Sequence, residues 1–317
     1  MKLILIFIDG IGIGQKNKTN PFLLQKSLYL SHFKSEFKTK WKRSEGFIVY
    51  SLDPMLGVSG IPQSASGQSS IFTGINVARL LQGHLTGFPN KRLRALLMKK
   101  NLFLELEAMG RKVKFINAYP LFAEKLNKQH LLIDENGNFI IKENQEGFAK
   151  ILKRISVTTV LAMSIKQKFF GLEDLKEKKS IFHDLTNQYL IRQGLDVPPF
   201  TPKIAAHIMV DNLKRFDVLL YEYFLTDKIG HLFLEKESLL IVKILDEFIT
   251  ELVNLTNGRD VHILIFSDHG NFEDQSVKTH TKNNIPFVHI GKNTEVNDEI
   301  QNITDIYPYI LNLAKMN

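Results

Sequence analysis

Three apolar runs of strand length each hand the chain on to an acidic residue. Lys2–Ile8 runs straight into Asp9-Gly10. Residues 216–224 (Phe-Asp-Val-Leu-Leu-Tyr-Glu-Tyr-Phe) lead to Asp227 and then His231. Val261–Phe266 leads to Ser267-Asp268-His269-Gly270-Asn271, with Thr279-His280-Thr281 shortly after. A carboxylate at the carboxyl end of three predicted strands points to the edge at which open α/β sheets bind ligands.

Between these runs the pattern is mostly helical. Asn20-Pro21 opens a helical pattern to about residue 33. Small residues over 57–74 precede another helix, a turn that leaves helix-start amides free for an anion. Asn90 can cap a helix through about 99, residues 102–109 have helical spacing up to Gly110, and 113–116 read as a strand. Asn136-Gly137 between the apolar runs 131–133 and 139–141 signals a hairpin. Residues 147–170 and 202–216 are helical in spacing. Residues 1–120 and 205–317 therefore read as one α/β core closing around an insertion or small cap at 121–204. The expected fold is α/β, a three-layer sandwich on a central, mostly parallel sheet with a modest mid-chain insertion. The Gly10-Ile-Gly12-Ile-Gly14 stretch lacks the frame of a dinucleotide site and reads as a flexible turn.

Composition narrows the chemistry. The 317 residues are 44% hydrophobic, enough for a sizeable core in one large domain. With no cysteine, thiolate metal sites, disulfides and cysteine nucleophiles are excluded, so any metal is held by oxygen and nitrogen. No apolar stretch approaches the roughly 18 residues that cross a bilayer, and residues 1–8 are too short for a signal segment, so the expectation is a cytoplasmic protein without a membrane role. The +8 charge is spread along the chain without a basic-aromatic patch. That argues against nucleic acid and suits a small anionic substrate; oligomeric state is not legible.

Three Asp and three His suffice for two divalent ions in one cleft, Mn or Zn by donor type. Asp227 and His231 are four apart and share a helix face. Asp268 and His269 are neighbours and converge only if the chain bends, which Gly270 would allow. Singly, a strand-end Asp usually caps a helix and a lone His is usually structural; six arriving together argue for metal. A metal-activated hydroxyl would serve as nucleophile, with Ser64, Ser66, Ser69 and Ser70 as candidates. Around them, His84, Arg79, Lys228 and Asn271 are candidate substrate contacts. His183-Asp184 reads as a cap.

The whole set resembles the alkaline phosphatase superfamily, in particular its phosphoglycerate mutase and phosphopentomutase-like metalloenzyme branch. The matching fragments are Phe7-Ile-Asp9-Gly10, Pro62-Gln-Ser64-Ala-Ser-Gly-Gln68 through Phe72-Thr73-Gly74, Thr226-Asp227-Lys-Ile-Gly-His231, Ser267-Asp268-His269-Gly270-Asn271 and Thr279-His280-Thr281 with Pro286, in the family's order. The resemblance implies that Ser64 is the nucleophile, ten residues before Gly74. It implies that Asp9, Asp268 and His269 bind one metal and Asp227, His231 and His280 the other. The phosphoglycerate mutases differ in two respects: they read Asn-Ser-Glu-Val-Gly-His where this chain reads Gln63 to Gln68, and they are longer, with a large inserted domain. The implied activity is phosphoryl transfer on a small phosphate ester through a phosphoserine, with hydrolysis favoured over a phosphopentose- or phosphoglycerate-type mutase. Sulfate ester cleavage ranks low without the Cys/Ser-x-Pro-x-Arg setting. A non-catalytic, metal-stabilised binding module is the rival of another class.

Overall fold

The three carboxylate-bearing strands turn out to be next-door neighbours. In the computed structural model, which describes residues 1–24, 29–30, 33, 40–44, 46–142, 148–152, 154–232, 234–292 and 300–316, the strands are β1 (Lys2–Ile8), β2 (Lys40–Ser44), β3 (Phe47–Leu52), β4 (Val113–Phe115), β5 (Leu131–Ile133), β6 (Phe139–Ile141), β7 (Val218–Tyr223), β8 (Val261–Phe266) and β9 (Ile285–Ile290). Seven make one sheet in the order β2-β3-β9-β8-β1-β7-β4, and β5-β6 is a separate hairpin. β1 pairs in parallel with β7 on one side and β8 on the other, and β4 pairs in parallel with β7. β9, β3 and β2 continue the sheet antiparallel. Because β7, β1 and β8 run the same way, their carboxyl ends share one edge, and Asp227, Asp9 and Asp268 meet there.

Alternation along the buried β1 builds the sandwich. Leu3, Leu5 and Phe7 join one core with Leu220 and Phe266. The helices Ser64–Thr73, Leu102–Ala108, Val157–Ser164 and Ile306–Lys315 supply Phe72, Phe103, Leu161 and Ile310 to it. Ile4, Ile6 and Ile8 face the other core with Tyr221, Tyr223 and Ile263, covered by the helices Pro202–Asn212 and Glu235–Thr256. The expected three-layer α/β sandwich with a mostly parallel centre is the observed fold.

Residues 121–204 feed both cores: Phe148, Val157 and Leu161 enter the first, and Phe170, Leu175, Ile181 and Phe200 the second. Single bridges from Ala118 to Phe170 and Asn117 to Ile181 stitch this segment beside β4. Local expectations hold in detail. The Asn90 side chain caps Lys91–Lys99 by accepting from the Leu93 N–H, and Gly110 turns with a positive φ. In the hairpin, Asp134 accepts from the amides of Asn136 and Asn138. The helical pattern of 147–170 resolves into Phe148–Leu152 and Val157–Ser164, the latter capped by Ser156. The helix after Pro21 is described only for Pro21–Leu24; residues 25–28, 31 and 32 of that expectation lie outside the described residues. No helix among the described residues is long and apolar enough to cross a membrane.

Candidate metal centre

The site begins where β1 stops. The Asp9 N–H still bonds the Tyr223 carbonyl as the last rung to β7. The chain then turns at Gly10 with φ +71°, and a Cβ there would sit 2.8 Å from Asp227 Cβ. Glycine is therefore required both by backbone angle and by close approach. Thr226 donates its hydroxyl to the Asp9 carbonyl at 2.5 Å, pinning the short helix Leu225–Gly230 over this turn. That helix places Asp227 and the following His231 on one face, as their spacing predicts, with Asp227 Oδ1 3.5 Å from His231 Nε2.

Past β8, Asp268 and His269 are wholly buried. The chain bends at Asp268 and His269, as their convergence requires, and Gly270 adds a close approach. It has no positive φ; instead it bridges Thr281, and a Cβ would run into Thr281 Oγ1 and the Glu273 carboxylate. Its smallness lets the loop that carries His280 lie directly on the edge. The Gly10–Gly14 turn is tied rather than flexible: Ile11 N–H donates to Ser267 Oγ, Gly12 N–H to Glu273 Oε2 and Ile13 N–H to the Asn284 carbonyl.

All six predicted ligands converge. His269 Nε2 lies 3.0 Å from Ser64 Oγ, 3.3 Å from Asp9 Oδ1 and 3.6 Å from Asp268 Oδ2. His280 Nε2 lies 3.3 Å from Asp227 Oδ1 and 3.2 Å from His231 Nε2. The His269 and His280 rings stack with centroids 3.7 Å apart, joining the two halves. Asp9, Asp268 and His269 form one set of donors close enough to share an ion, and Asp227, His269 and His280 form another.

The donor set fits divalent ions on two observations. His231 Nδ1 is 2.8 Å from the Lys278 carbonyl and His280 Nδ1 is 2.9 Å from the Pro62 carbonyl. With each Nδ1 turned to a carbonyl, the two Nε2 atoms face each other at 3.2 Å beside Asp227 Oδ1, where an ion can sit between them. Second, Asp9 Oδ1 is buried, faces His269 Nε2 at 3.3 Å, and has no donor in hydrogen-bond geometry among the described residues. Burial and the neighbouring Asp268 push the Asp9 carboxyl well above its ordinary pKa. Burial works against a charge on His269, but Asp268, Asp9 and Asp227 outweigh it and push its pKa up to about 10. Asp227 is held well below the usual carboxylate range despite its burial, by His280 and His269. The pocket is an excess of negative charge that calls for cations.

Of the four candidate hydroxyls, Ser64 bonds the cluster. Ser66 Oγ and Ser70 Oγ instead donate to the carbonyls of Gln63 and Ser66, and Ser69 Oγ is buried with no hydrogen-bond partner among the described residues. Ser64 opens its helix, where Gln63 supplies no side-chain cap, so the helix start faces the site with its amide dipoles. The lesser candidates separate. Asn271 is buried and donates Nδ2 to the Asp227 carboxylate at 2.7 Å. His84 Nε2 is 3.3 Å from the Val58 carbonyl, while Arg79 and Lys228 are exposed.

Two residues escaped the sequence reading. Gln68, one helical turn after Ser64, donates Nε2 to Asp9 Oδ2 at 3.2 Å and to Asp268 Oδ2 at 3.1 Å. Its spacing of four from Ser64 is the signal that places it on the site face. Glu273, 1% exposed, accepts from the Gly12 and Asn271 amides, Thr281 Oγ1 and Asn283 Nδ2, binding three site loops into one knot. Nothing local in the sequence marks it.

A family model described as Metalloenzyme superfamily matches residues 198–317, the stretch that holds five of the six ligands. The chain is similar to the 2,3-bisphosphoglycerate-independent phosphoglycerate mutase of Francisella tularensis subsp. novicida, 30% identical over 133 residues, 39% of this chain and 25% of that enzyme. It is similar to the enzyme of the same name from Parabacteroides distasonis, 30% identical over 108 residues, 32% of this chain and 21% of that enzyme. These alignments span about a quarter of the relatives' length. The fold is shared with the PH0037 protein of Pyrococcus horikoshii, with a TM-score of 0.54 and 15% identity over 100% of this chain and 97% of that one.

Proposed function

We propose that the chain, which matches a metalloenzyme family model over residues 198–317, is an alkaline phosphatase-type metalloenzyme that transfers phosphoryl groups from a small phosphate ester through Ser64, with two divalent ions, Mn or Zn, as cofactors. The observation that carries the reading is the placement of Ser64 Oγ 3.0 Å from His269 Nε2, at a helix start, inside a ring of three carboxylates and three imidazoles. Asp9, Asp268 and His269 would hold one ion and Asp227, His231 and His280 the other. When bound, the ions lower the pKa of the serine hydroxyl and neutralise charge on the ester oxygens.

The chain's own residues supply the rest. The start of the Ser64–Thr73 helix presents its dipole to the phosphoryl group. Ser64 Oγ bonds to phosphorus as the ester P–O bond breaks, and the alcohol departs with a proton, leaving phosphoserine. Gln68 holds the Oδ2 atoms of Asp9 and Asp268 together. Asn271 donates to Asp227 Oδ1, the oxygen that faces His231 and His280, and fixes its position. Water then attacks the phosphoserine, freeing Ser64 and releasing phosphate. Hydrolysis is favoured over return of the group to a substrate hydroxyl because the Asp227 and His231 side chains, 22% and 39% exposed, leave that side of the site open to water.

Peptide mapping of acid-quenched reactions tests this. The metal-loaded protein turning over an ester accumulates phosphate on Ser64. Metal-dependent turnover with no phosphoserine, or full turnover by Ser64→Ala, defeats the proposal. A Ser64→Ala protein that keeps all function supports the binding-module reading.

A further inference from the structure

Resting on the phosphoryl-transfer reading, we propose that the esters taken here carry an aromatic ring on the alcohol, a nucleoside or aryl group, and that Phe224, His183, Tyr189 and Lys228 receive it. Phe224 is the cap residue of the turn Leu225–Gly230, which carries Asp227 and Lys228. This is the side on which the site meets solvent, since Asp268 and His269 behind it have no exposed side-chain surface. Beside this turn two aromatic side chains stand open, Phe224 at 37% and Tyr189 at 45% exposure. The His183 ring fills the space between them, its centroid 4.4 Å from Phe224 and 5.5 Å from Tyr189. Lys228 Nζ lies 5.8 Å from the Tyr189 ring.

The middle segment delivers this cluster. Ile181 bridges Asn117 just past β4, which carries His183 to the same sheet edge as the metal ligands. Burial lowers the His183 pKa to about 4, so the ring is neutral, and its buried Nδ1 has no hydrogen-bond partner among the described residues. Neutral, flat and packed on Phe224, it makes a stacking platform rather than a charge. Aromatic rings grouped and exposed beside a polar site are the usual lining of a ligand pocket. An incoming ring gains offset or edge contact with them, and Lys228 adds charge for an anionic ester. A pentose or glycerate ester offers these rings no π-face.

Adenosine 5′-monophosphate and ribose 5-phosphate isolate the effect, because both present the same primary phosphate ester and differ by the base. The wild-type protein is expected to favour the nucleotide in kcat/KM by about tenfold or more, and Phe224→Ala and Tyr189→Ala to erase that preference through KM. Equal kcat/KM for the two esters in the wild type overturns the proposal, as does a preference that survives both substitutions or a loss that falls equally on both esters. Calorimetric titration with the same two compounds separates this failure from that of the parent reading. Selective binding of the nucleotide without turnover of either ester upholds the subsite and defeats phosphoryl transfer. Turnover of both esters with no selectivity does the reverse.

Discussion

Strand β8 has a buried histidine cluster at each end, and the two differ in what surrounds them. Past its carboxyl end His269 stands among Asp9, Asp227 and Asp268. Near its start His262 Nδ1 lies 2.8 Å from His289 Nε2, and His289 Nδ1 lies 2.6 Å from the Tyr309 hydroxyl. Each cluster brings imidazoles together, with His269 in the first and His289 in the second buried. In the first, carboxylates push the His269 pKa up to about 10. In the second, burial and His262 lower the His289 pKa to about 3, and the nearest carboxylate, Asp260, is 3.8 Å from His262 and itself 65% exposed. A buried ring and ring contact are common to both; the carboxylates are what make one cluster a candidate cation site, while the other is a hydrogen-bond relay within the core.

The largest expected effect of breaking this contrast is catalytic. Ser64→Ala should lower turnover by at least about a thousandfold with metal content unchanged, whereas His289→Asn should leave turnover intact; kcat and bound metal measured on both proteins check this. Next comes stability in acid. Unfolded histidine binds its proton near pH 6.5, but folded His289 resists it until about 3, so between these values the unfolded state holds the extra proton. Stability is full above pH 6.5 and falls toward pH 3, by up to roughly 4 kcal/mol from this group. Denaturant melts across that window should flatten in His289→Asn.

A smaller effect sharpens the other end. Gln68→Leu removes the donor shared by Asp9 and Asp268 and should weaken metal binding about 10- to 100-fold, as losses around ligating carboxylates do; titration calorimetry reads it, and an unchanged affinity would show the bridge to be incidental. The smallest is proton linkage. Metal-free His269 carries a proton up to about pH 10, which contributes stability below pH 6.5 that is lost as pH rises through 10. Metal uptake at neutral pH should therefore release a proton, seen as a binding heat that varies with the buffer's ionisation enthalpy.

Candidate ligands Asp9, Asp227, Asp268 and His269 were readable because they sit where apolar runs end, a pattern local in sequence that needs no knowledge of pairing. That β7, β1 and β8 are neighbours was not readable, since strand order depends on crossovers of many residues. β3 and β9, which extend the sheet and bring His280 to the edge, also gave no strong signal; β9 contains Pro286, which weakens a strand reading. Glu273 illustrates the remaining gap. It looks like one more loop acid, and only the folded chain brings Gly12, Asn271, Thr281 and Asn283 around it.

Phosphorus NMR on the purified protein, loaded with Mn or Zn and given a panel of sugar phosphates, nucleoside monophosphates and phosphoglycerates, tests the central claim most directly. The expected result is metal-dependent appearance of inorganic phosphate that Ser64→Ala fails to produce. A positional isomer with little free phosphate would keep Ser64 transfer and replace hydrolysis by a mutase reaction. No change in any ester, with metal bound, would contradict phosphoryl transfer from small esters at this site.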